Sequence, residues 1–223
     1  MAAKPLTTLG AALVQVARTL DSLDVAWALV GGLAVSARAQ PRLTRDVDIA
    51  VSVTSDAHAE ELLFALQQRG YTVDTVLEQS RLERLATARL SFRRGDAAKV
   101  IVDLLFASSG IEPEVVAAAS SLEVLPGVRV PVARIGHLIA MKVLARDDRA
   151  RPQDFDDLRA LLSEAGTVEL NRARRALEAI EASGAHRGRR LLAALERAIT
   201  EVSTEGAAFA PRRLRARRPK KRS

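Results

Sequence analysis

The sequence predicts an α+β fold, in which a first part that mixes strands and helices is followed by a bundle of helices. Short apolar runs bounded by turn residues recur up to residue 132 and indicate buried strands. Beyond Pro131 the apolar residues recur at helical spacing, in segments rich in Ala, Leu, Arg and Glu. We therefore predict an α/β domain at residues 1–133 and a helical domain at residues 134–206.

Turn and capping residues set the limits of the elements in the first part. Pro41 stops the second helix, and Ser55 or Asp56 can cap the third. Gly70 ends that helix, and Pro126-Gly127 is a turn dipeptide between the last two strands. The predicted helices are Leu6–Leu23, Leu33–Ala39, Ala57–Arg69 and Pro113–Ser120. The predicted strands are Ala26–Val30, Asp46–Val53, Tyr71–Leu77, Ala88–Arg94, Val100–Phe106, Leu122–Leu125 and Val128–Val132.

The second part is predicted to contain four helices and then a basic tail. The helices are Ile135–Arg146, Gln153–Ala165, Val168–Ala182 and His186–Val202. The last thirteen residues carry eight positive charges and no negative ones, so residues 1–210 have a net charge of −1 although the whole chain has +7. We predict that residues 207–223 are disordered. Such a block often binds nucleic acid, although it can also serve only solubility.

Composition excludes several classes of protein. The chain has no cysteine, which excludes disulfides, cysteine-bound zinc and a thiol nucleophile. None of the three histidines has a second histidine at ligand spacing. The apolar runs are too short to span a bilayer, and the N-terminus shows no signal peptide. We therefore predict a cytoplasmic protein without a membrane partner.

A glycine pair and two aspartates form the first part of a candidate site. Gly31-Gly32 end an apolar run, and thirteen residues separate them from Asp46 and Asp48 in the next predicted strand. Alternate residues of a strand share a face, so the two aspartates would project together while their apolar neighbours face the core. Two carboxylates on one face suit a divalent metal ion, and a Gly-Gly turn that leads into a helix suits a phosphate.

Asp103 is a third acid, alone in the otherwise apolar run Val100–Phe106. A buried charge at such a position is unfavourable unless it is paired, bound to metal or at the rim of the sheet. If its strand lies beside that of Asp46, the three carboxylates could hold two Mg²⁺ ions about 3.5–4 Å apart. The alternative is an ion pair with an arginine. Each pattern alone is more often structural, but together they favour phosphate and metal chemistry.

These motifs resemble those of a known superfamily. Val30-Gly31-Gly32, then thirteen residues, then Asp46-Val47-Asp48-Ile49 is similar to the signature of the DNA polymerase beta-like nucleotidyltransferases, and Asp103 to their third carboxylate. Leu138–Lys142 and Arg149–Leu158 resemble the AbiEii-type branch, which includes the MenT-type tRNA nucleotidyltransferases, toxins of type IV toxin–antitoxin systems. The resemblance covers residues 26–165. It implies a nucleotidyltransferase domain with a mixed β-sheet flanked by helices at residues 1–133.

The resemblance implies roles for the residues near the glycine pair. Gly31 and Gly32 would let the backbone approach the β- and γ-phosphates of a nucleotide, helped by the N-terminus of the following helix. Ser36 could reach a phosphate or be an ordinary helix serine. Arg45 could bind the triphosphate or pair with Asp103 or another acid. The carboxylates of Asp46, Asp48 and Asp103 would be the catalytic metal ligands.

The helical part would complete the nucleotide site. Lys142 is the candidate cationic ligand for a phosphate, and is also assigned a catalytic role; its alternative is a buried stem with the ammonium group in water. Asp154 and Asp157 would contribute acids to the nucleotide pocket, with Asp156 as a further candidate. Asp154 could instead cap its helix and complement the helix dipole.

The implied activity is the Mg²⁺-dependent transfer of an NMP from an NTP to RNA at a tRNA 3′ end, with a two-metal site and Mn²⁺ as the alternative ion. The chain would then be a toxin, and its partners would be the NTP, the RNA acceptor and a cognate antitoxin protein. One alternative keeps the chemistry but uses a small molecule or a protein side chain as acceptor. The other is a non-catalytic protein that binds nucleic acid or a partner on the same fold.

Overall fold

The computed structural model describes residues 7–79, 84–92, 100–146 and 153–209, with side chains described through residue 204. Within these ranges the chain forms eight helices and seven strands. In chain order they are α1 (Thr8–Ser22), β1 (Trp27–Val30), α2 (Gly31–Arg38), β2 (Asp46–Val51), α3 (Asp56–Gln67), β3 (Thr72–Gln79), β4 (Arg84–Phe92), β5 (Val100–Leu105), α4 (Glu112–Ala118), β6 (Ser120–Leu125), β7 (Val128–Val132), α5 (Ile135–Ala145), α6 (Gln153–Glu164), α7 (Thr167–Ala182) and α8 (Leu191–Phe209).

The strands form one mixed sheet, in the order β3-β4-β5-β2-β1-β7-β6. β2 pairs parallel with β5 and β1 pairs parallel with β7, whereas the other neighbours are antiparallel. Helices α1, α3 and α4 pack on the sheet, and α2 contacts the sheet together with α5 and α6. The predicted α+β fold, with a mixed sheet flanked by helices and a helical C-terminal region, is therefore confirmed.

The central strands explain why this sequence forms a sheet that can carry a polar site. β1 is buried along its whole length, as expected for an interior strand with apolar residues on both faces. β2 instead alternates: Val47 and Ile49 are fully buried, while Asp46 and Asp48 are partly exposed. The alternation predicted for this strand is confirmed, and it turns both carboxylates away from the apolar core.

The helical region is built around α5, whose residues Leu138 and Ile139 are buried. Gly136 lets α5 approach α7 closely, because a Cβ atom there would overlap the backbone oxygen of Glu169. The Gly136 N–H group also donates to the Glu169 carboxylate over 2.7 Å. Among the helices in the described part of the chain, none is both long and apolar enough to cross a lipid bilayer.

The largest differences from the predicted limits are at β4 and α8. β4 begins at Arg84 rather than Ala88, and Arg84 Nε donates to the Asp56 carboxylate over 2.7 Å. α8 begins at Leu191 rather than His186, because the preceding turn contains residues with positive φ, and the Glu181 carboxylate accepts the Leu191 N–H over 2.6 Å. α8 extends through Phe209, so the disordered tail predicted from residue 207 begins later than expected, because the helix continues through residues 207–209. Residues 210–223, the rest of the predicted basic tail, lie outside the described residues.

Candidate active site

A cleft of about 810 Å³ lies between the sheet and the helical region. Side chains of β2, β3, β4 and β5 line one side, and residues of α5, α6 and the α7–α8 turn line the other. The predicted site residues that line this cleft are Gly31, Gly32, Asp48, Asp103, Lys142 and Asp154. The remaining predicted residues, Ser36, Arg45, Asp46 and Asp157, are all described but are not part of the lining.

The strand register places two carboxylates side by side. β2 and β5 are parallel neighbours, and Asp48 lies directly opposite Asp103. Asp46 precedes Asp48 by two residues on the same face of β2 and lies opposite Ile101. The condition for Asp103 to join the two acids of β2, that its strand lies beside theirs, is therefore met.

Asp48 is in an environment that disfavours its negative charge. Burial raises the pKa of the Asp48 carboxyl group to about 6, and the nearby negative charge of Asp103 acts in the same direction. A hydrogen bond from the Gly32 backbone and the positive charge of Lys142 oppose this shift in the pKa but do not cancel it. A cation bound next to Asp48 and Asp103 would remove this repulsion.

Asp103 is held by an arginine of β4. Arg89 Nε donates to Asp103 Oδ1 over 2.8 Å, and Arg89 Nη2 donates to Asp103 Oδ2 over 2.7 Å. This bidentate pair raises the pKa of Arg89 and fixes the orientation of the carboxylate. The arginine partner considered from the sequence therefore exists. In the described ranges, no three His, Cys, Asp or Glu side chains are grouped so as to hold a metal ion.

Gly31 packs against the Asp48 carboxylate, and Gly32 packs against Arg42 and Thr44. Gly31 has a φ of +61°, in the left-handed region that favours glycine, and a Cβ atom there would overlap the Asp48 carboxylate. A Cβ atom on Gly32 would lie 2.5 Å from Arg42 Nη2 and 2.7 Å from Thr44 Oγ1. Both positions therefore require glycine, because the space that a side chain would fill already holds polar groups of the cleft.

Lys142 belongs to a network of two cations and two acids. Lys142 Nζ lies 2.8 Å from Asp154 Oδ1 and 2.7 Å from Asp157 Oδ2. Arg42 Nε lies 2.7 Å from Asp157 Oδ1, so Asp157 joins the two cations. Asp157 is only 2% exposed, which makes these pairs a fixed link between α2–β2, α5 and α6. Asp156, the third acid considered, is exposed on α6 and is not part of the cleft lining.

The residues expected near the triphosphate separate into two groups. Ser36 Oγ donates to the Gly32 carbonyl over 3.0 Å and accepts the Arg42 N–H over 3.2 Å, which fixes the loop that carries Arg42. Arg45 is exposed and is not among the lining residues, whereas Arg42 lines the cleft beside the glycine pair. Of the two arginines in this loop, Arg42 is therefore the one that the fold places beside the glycine pair.

Sequence reasoning did not identify three cleft residues, Arg42, Arg89 and Arg187. Arg42 follows Pro41 in a loop, and no local pattern separates it from Arg45. The position of Arg89 depends on the pairing of β4 with β5, which the sequence predicts as a hairpin without fixing its register. Arg187 lies where helical spacing predicted the last helix. The nearby glycines Gly184 and Gly188 are the feature of the sequence that indicates a turn here.

One solved structure shares this fold, and two others are similar to a lesser degree. An antigenic nucleotidyltransferase-like protein from Paracoccidioides brasiliensis is 20% identical over 86% of this chain and 95% of that protein, with a TM-score of 0.52. ANT(2″)-Ia, solved with adenylyl-2″-tobramycin, is 16% identical over 90% of this chain and 99% of that chain, with a TM-score of 0.45. The lincosamide antibiotic adenylyltransferase LnuA, solved with lincomycin, is 14% identical over 73% of this chain and 100% of that chain, with a TM-score of 0.44. No curated protein matches the sequence.

A family model covers almost the whole sequence. The family described as nucleotidyl transferase AbiEii toxin, type IV TA system, matches residues 14–222, a range that includes the glycine pair, the three carboxylates and Lys142. The resemblance derived from the motifs is therefore confirmed, as is the expectation that the protein is an enzyme. This chain belongs to the AbiEii family of type IV toxin–antitoxin nucleotidyltransferases.

Proposed function

We propose that this nucleotidyltransferase moves an NMP from an NTP to RNA, at the 3′ end of a tRNA, in a Mg²⁺-dependent reaction. The observation that carries the proposal is the close packing of Gly31 against Asp48, which itself lies opposite Asp103 on the neighbouring strand. A backbone suited to a phosphate therefore lies beside two carboxylates in one cleft. Membership in a toxin family further supports a MenT-like toxin whose partner is a cognate antitoxin protein.

The N-terminus of α2 is suited to the β- and γ-phosphates of the NTP. α2 begins at Gly31, and the Val30 side chain makes no capping hydrogen bond to it. The first N–H groups of a helix lack partners within the helix and carry the positive end of its dipole, so they attract an anion. The Gly32 N–H already donates to Asp48, so the phosphate would use the other N–H groups of this turn and the dipole. Because Gly31 and Gly32 have no side chains, a phosphate can approach this backbone closely.

Lys142 and Arg42 would supply positive charge to the same phosphates. In the nucleotide-free structure Asp154 and Asp157 neutralise these two cations and hold their positions. A triphosphate carries several negative charges, so it would compete with these two aspartates for Lys142 and Arg42. The two cationic side chains are already held in place, so binding would not have to fix their conformation. Asp154 Oδ2 is buried without a hydrogen-bond partner in the described structure, which leaves it free to accept a hydrogen bond from the nucleotide.

We propose Asp46, Asp48 and Asp103 as the residues that hold Mg²⁺, with two ions bound in the presence of the NTP and Mn²⁺ able to replace them. Carboxylate oxygens suit a hard divalent cation. The three carboxylates are not grouped around one point in the described structure, so Asp46 would have to turn toward Asp48 and Asp103 when the ion binds. The pKa of Asp48 is raised by burial and by the negative charge of Asp103, and a cation would balance that charge. Arg89 would then share Asp103 with the ion. When bound, the metal neutralises charge on the triphosphate and makes the acceptor hydroxyl group more acidic.

In the reaction, the acceptor hydroxyl oxygen bonds to the α-phosphorus of the NTP. The bond from this phosphorus to the oxygen bridging to the β-phosphate breaks, pyrophosphate leaves and the hydroxyl proton is lost. The residues of this chain contribute mainly by position: Gly32 donates to Asp48, and Arg89 fixes Asp103. Positioning and charge neutralisation are the main sources of rate enhancement in such transfers.

RNA is the proposed acceptor because the C-terminal residues concentrate the positive charge of the chain. A cationic segment gathers nucleic acid by releasing its counterions. A small molecule or a protein side chain would use the same transfer chemistry without requiring this segment. The two cases therefore differ in how the reaction depends on residues Pro211–Ser223.

The test is transfer of label from each α-³²P-labelled NTP to total tRNA, compared with aminoglycosides and proteins as acceptors. We expect labelled RNA with the wild type and none with Asp46→Ala or Asp48→Ala. A variant that lacks Pro211–Ser223 should label RNA more slowly because it binds the polyanion less well. Retained transfer by both aspartate variants would contradict the metal site, and label in another acceptor class would contradict the RNA assignment.

A further inference from the structure

We propose that one end of the cleft is an acceptor subsite for the end of a single strand of nucleic acid, formed by Leu77, Thr87, Leu105 and Arg187. We call these four residues the acceptor subsite. All four line the cleft. The inference rests on the proposed function for the reaction, and it adds where the acceptor lies and which chemical groups receive it.

The strand directions separate the two ends of the cleft. Val30 lies opposite Asp48 in the antiparallel β1–β2 pair, so Gly31 follows at the end where β2 begins. Along β2, Asp48 pairs with Asp103, and two residues further on Ala50 pairs with Leu105. The metal-binding carboxylates therefore lie between the glycine pair and Leu105. If the triphosphate occupies the glycine end, the attacking molecule must enter from the Leu105 side.

An uncharged strip of sheet lies beside the carboxylates on that side. Leu105 pairs with Thr87 across β5 and β4, and Thr87 pairs with Leu77 across β4 and β3. Leu77 is 57% exposed, an unusual state for a large apolar side chain in a strand. Flat apolar and hydroxyl-bearing surfaces of this kind suit the face of a base and its ribose, which need contact area as well as hydrogen bonds.

Arg187 lies on the α7–α8 turn and lines the same cleft as this strip. Its φ of +55° is uncommon for a residue other than glycine, and such strain is concentrated at functional positions. The turn is firmly held: Arg189 Nη1 donates to the Leu144 carbonyl over 2.7 Å, and a Cβ on Gly110 would lie 3.1 Å from Ser183 Oγ. The turn therefore rests on the end of α5 and on the loop after β5, at the Leu105 side of the cleft.

The charges in the cleft favour an anionic group at Arg187. Arg89 is paired with Asp103, and Lys142 is paired with two acids of α6. Arg42 is likewise paired with Asp157. Arg187 also lines the cleft, but it has no ion pair or hydrogen bond with any side chain in the described ranges. A phosphate of the acceptor strand would satisfy its guanidinium group, which binds phosphates in a bidentate way.

Glu78 is an acid next to Leu77 in the chain; it is an exposed residue of β3 and also lines the cleft. Glu78 follows Leu77 across an irregularity in the β3–β4 pairing. One acid at the exposed edge strand does not neutralise the fixed arginine on the other wall. An acceptor strand whose base lies on Leu77 and Thr87 and whose phosphate reaches Arg187 therefore fits both the apolar and the charged parts of the subsite.

The experiment uses the full chain and a short RNA with a 3′-terminal 4-thiouridine for photo-crosslinking. Crosslinked peptides are mapped by mass spectrometry, and binding of a fluorescent NTP analogue is measured separately. We expect crosslinks at Leu77, Thr87 or the α7–α8 turn in the wild type. Arg187→Gln should lower the crosslink yield about tenfold, as expected for loss of a charged phosphate contact, and should leave the affinity for the NTP analogue unchanged.

Two further variants make the result specific. Arg190→Gln removes an exposed arginine of the same connection that does not line this cleft, and it should crosslink like the wild type. Leu77→Ser removes the apolar part of the subsite and should lower the yield about tenfold without changing NTP binding. Crosslinks confined to other surfaces, or a loss of NTP affinity in Arg187→Gln, would overturn the subsite.

The same experiment separates this inference from the proposed function. If the wild type binds RNA at the mapped residues but transfers no label to RNA, the subsite stands and the proposed reaction fails. If the wild type labels RNA but Arg187→Gln and Leu77→Ser crosslink and react like Arg190→Gln, the reaction stands and the subsite fails.

Discussion

The absent side chain of Gly31 makes room for the Asp48 carboxylate. A Cβ atom on Gly31 would overlap that carboxylate, and the φ of Gly31 is +61°. The glycine therefore serves two needs, a left-handed backbone at the start of α2 and close contact with an acid of β2. One substitution disturbs both the proposed phosphate site and the proposed metal site.

Gly31→Ala should lower nucleotidyl transfer at least about 100-fold, because Asp48 must move to admit the methyl group. Gly127→Ala is the matched control, since Gly127 also has a positive φ, +73°, but nothing lies within 4 Å of an added Cβ. Both variants should lose about 1 kcal/mol of unfolding free energy from backbone strain, and Gly31→Ala should lose more because its methyl group also overlaps the Asp48 carboxylate. Transfer assays would measure the loss of activity, and urea unfolding would measure the loss of stability. Equal activity in the two variants would contradict the steric argument.

Asp48→Asn should stabilise the protein while removing its activity. The rise of the Asp48 pKa from 3.8 to about 6 corresponds to an unfavourable contribution of up to about 3 kcal/mol above pH 6. The folded state binds the proton more tightly, so the stability that Asp48 contributes is fully present below about pH 4 and is lost as the pH rises through 6. Urea unfolding of both proteins should therefore show an advantage of Asp48→Asn that grows from about pH 4 to about pH 7. An advantage that shrinks over this range would contradict the assigned environment.

The local parts of this site follow from the sequence, because their patterns lie within one or two elements. Gly31-Gly32 and Asp48 are separated by a single helix and loop, and the alternation of β2 fixes the face on which Asp48 lies. Asp103 could be recognised because a lone acid in an apolar strand requires a partner. The helical C-terminal region likewise follows from hydrophobic spacing, whereas the mixed character of the sheet was implied by the resemblance of the motifs.

The arginines of the site could not be placed from the sequence, because tertiary contacts decide their roles. Arg42 and Arg45 lie in the same loop, and only the contact with Asp157 on α6 brings Arg42 to the cleft. Arg89 meets Asp103 through the register of β4 with β5, which alternation alone does not determine. Arg187 lies in a segment of helical composition, where left-handed residues end the helix despite its spacing.

Arg89→Gln should lower transfer about 10- to 100-fold, because Asp103 loses the two hydrogen bonds that orient its carboxylate. Arg84→Gln is a control on the same strand, where Arg84 pairs with Asp56 through a 2.7 Å hydrogen bond outside the cleft. Both arginines are substantially exposed, so each change should alter stability by less than about 1 kcal/mol. Steady-state rates and melting temperatures would separate the two effects. Equal rates in Arg89→Gln and Arg84→Gln would show that Asp103 does not need this support.

Mg²⁺ should stabilise the nucleotide-free protein in a pH-dependent way. A saturating concentration of the ion should raise the melting temperature by about 5 °C near pH 8, since binding to the folded state alone adds free energy to it. The rise should be smaller near pH 5, because Asp48, with a pKa of about 6, is then largely protonated and cannot bind the ion. Asp48→Asn should show no rise at either pH, and EDTA should reverse the effect in the wild type. A rise that persists in Asp48→Asn would place the ion elsewhere.

Arg42→Gln should raise the KM for the NTP about tenfold, because it removes a cation beside Gly32 that is 22% exposed and fixed by Asp157. Arg45→Gln, in the same loop but exposed and outside the cleft lining, should change the KM by less than about twofold. Both are compared with the wild type in the NTP dependence of label transfer, with melting temperatures as a check on folding. A raised KM only in Arg45→Gln would instead assign the triphosphate contact to Arg45, the arginine that the sequence indicated. It would also mean that the loop rearranges when the nucleotide binds, because Arg42 now occupies the place beside the glycine pair.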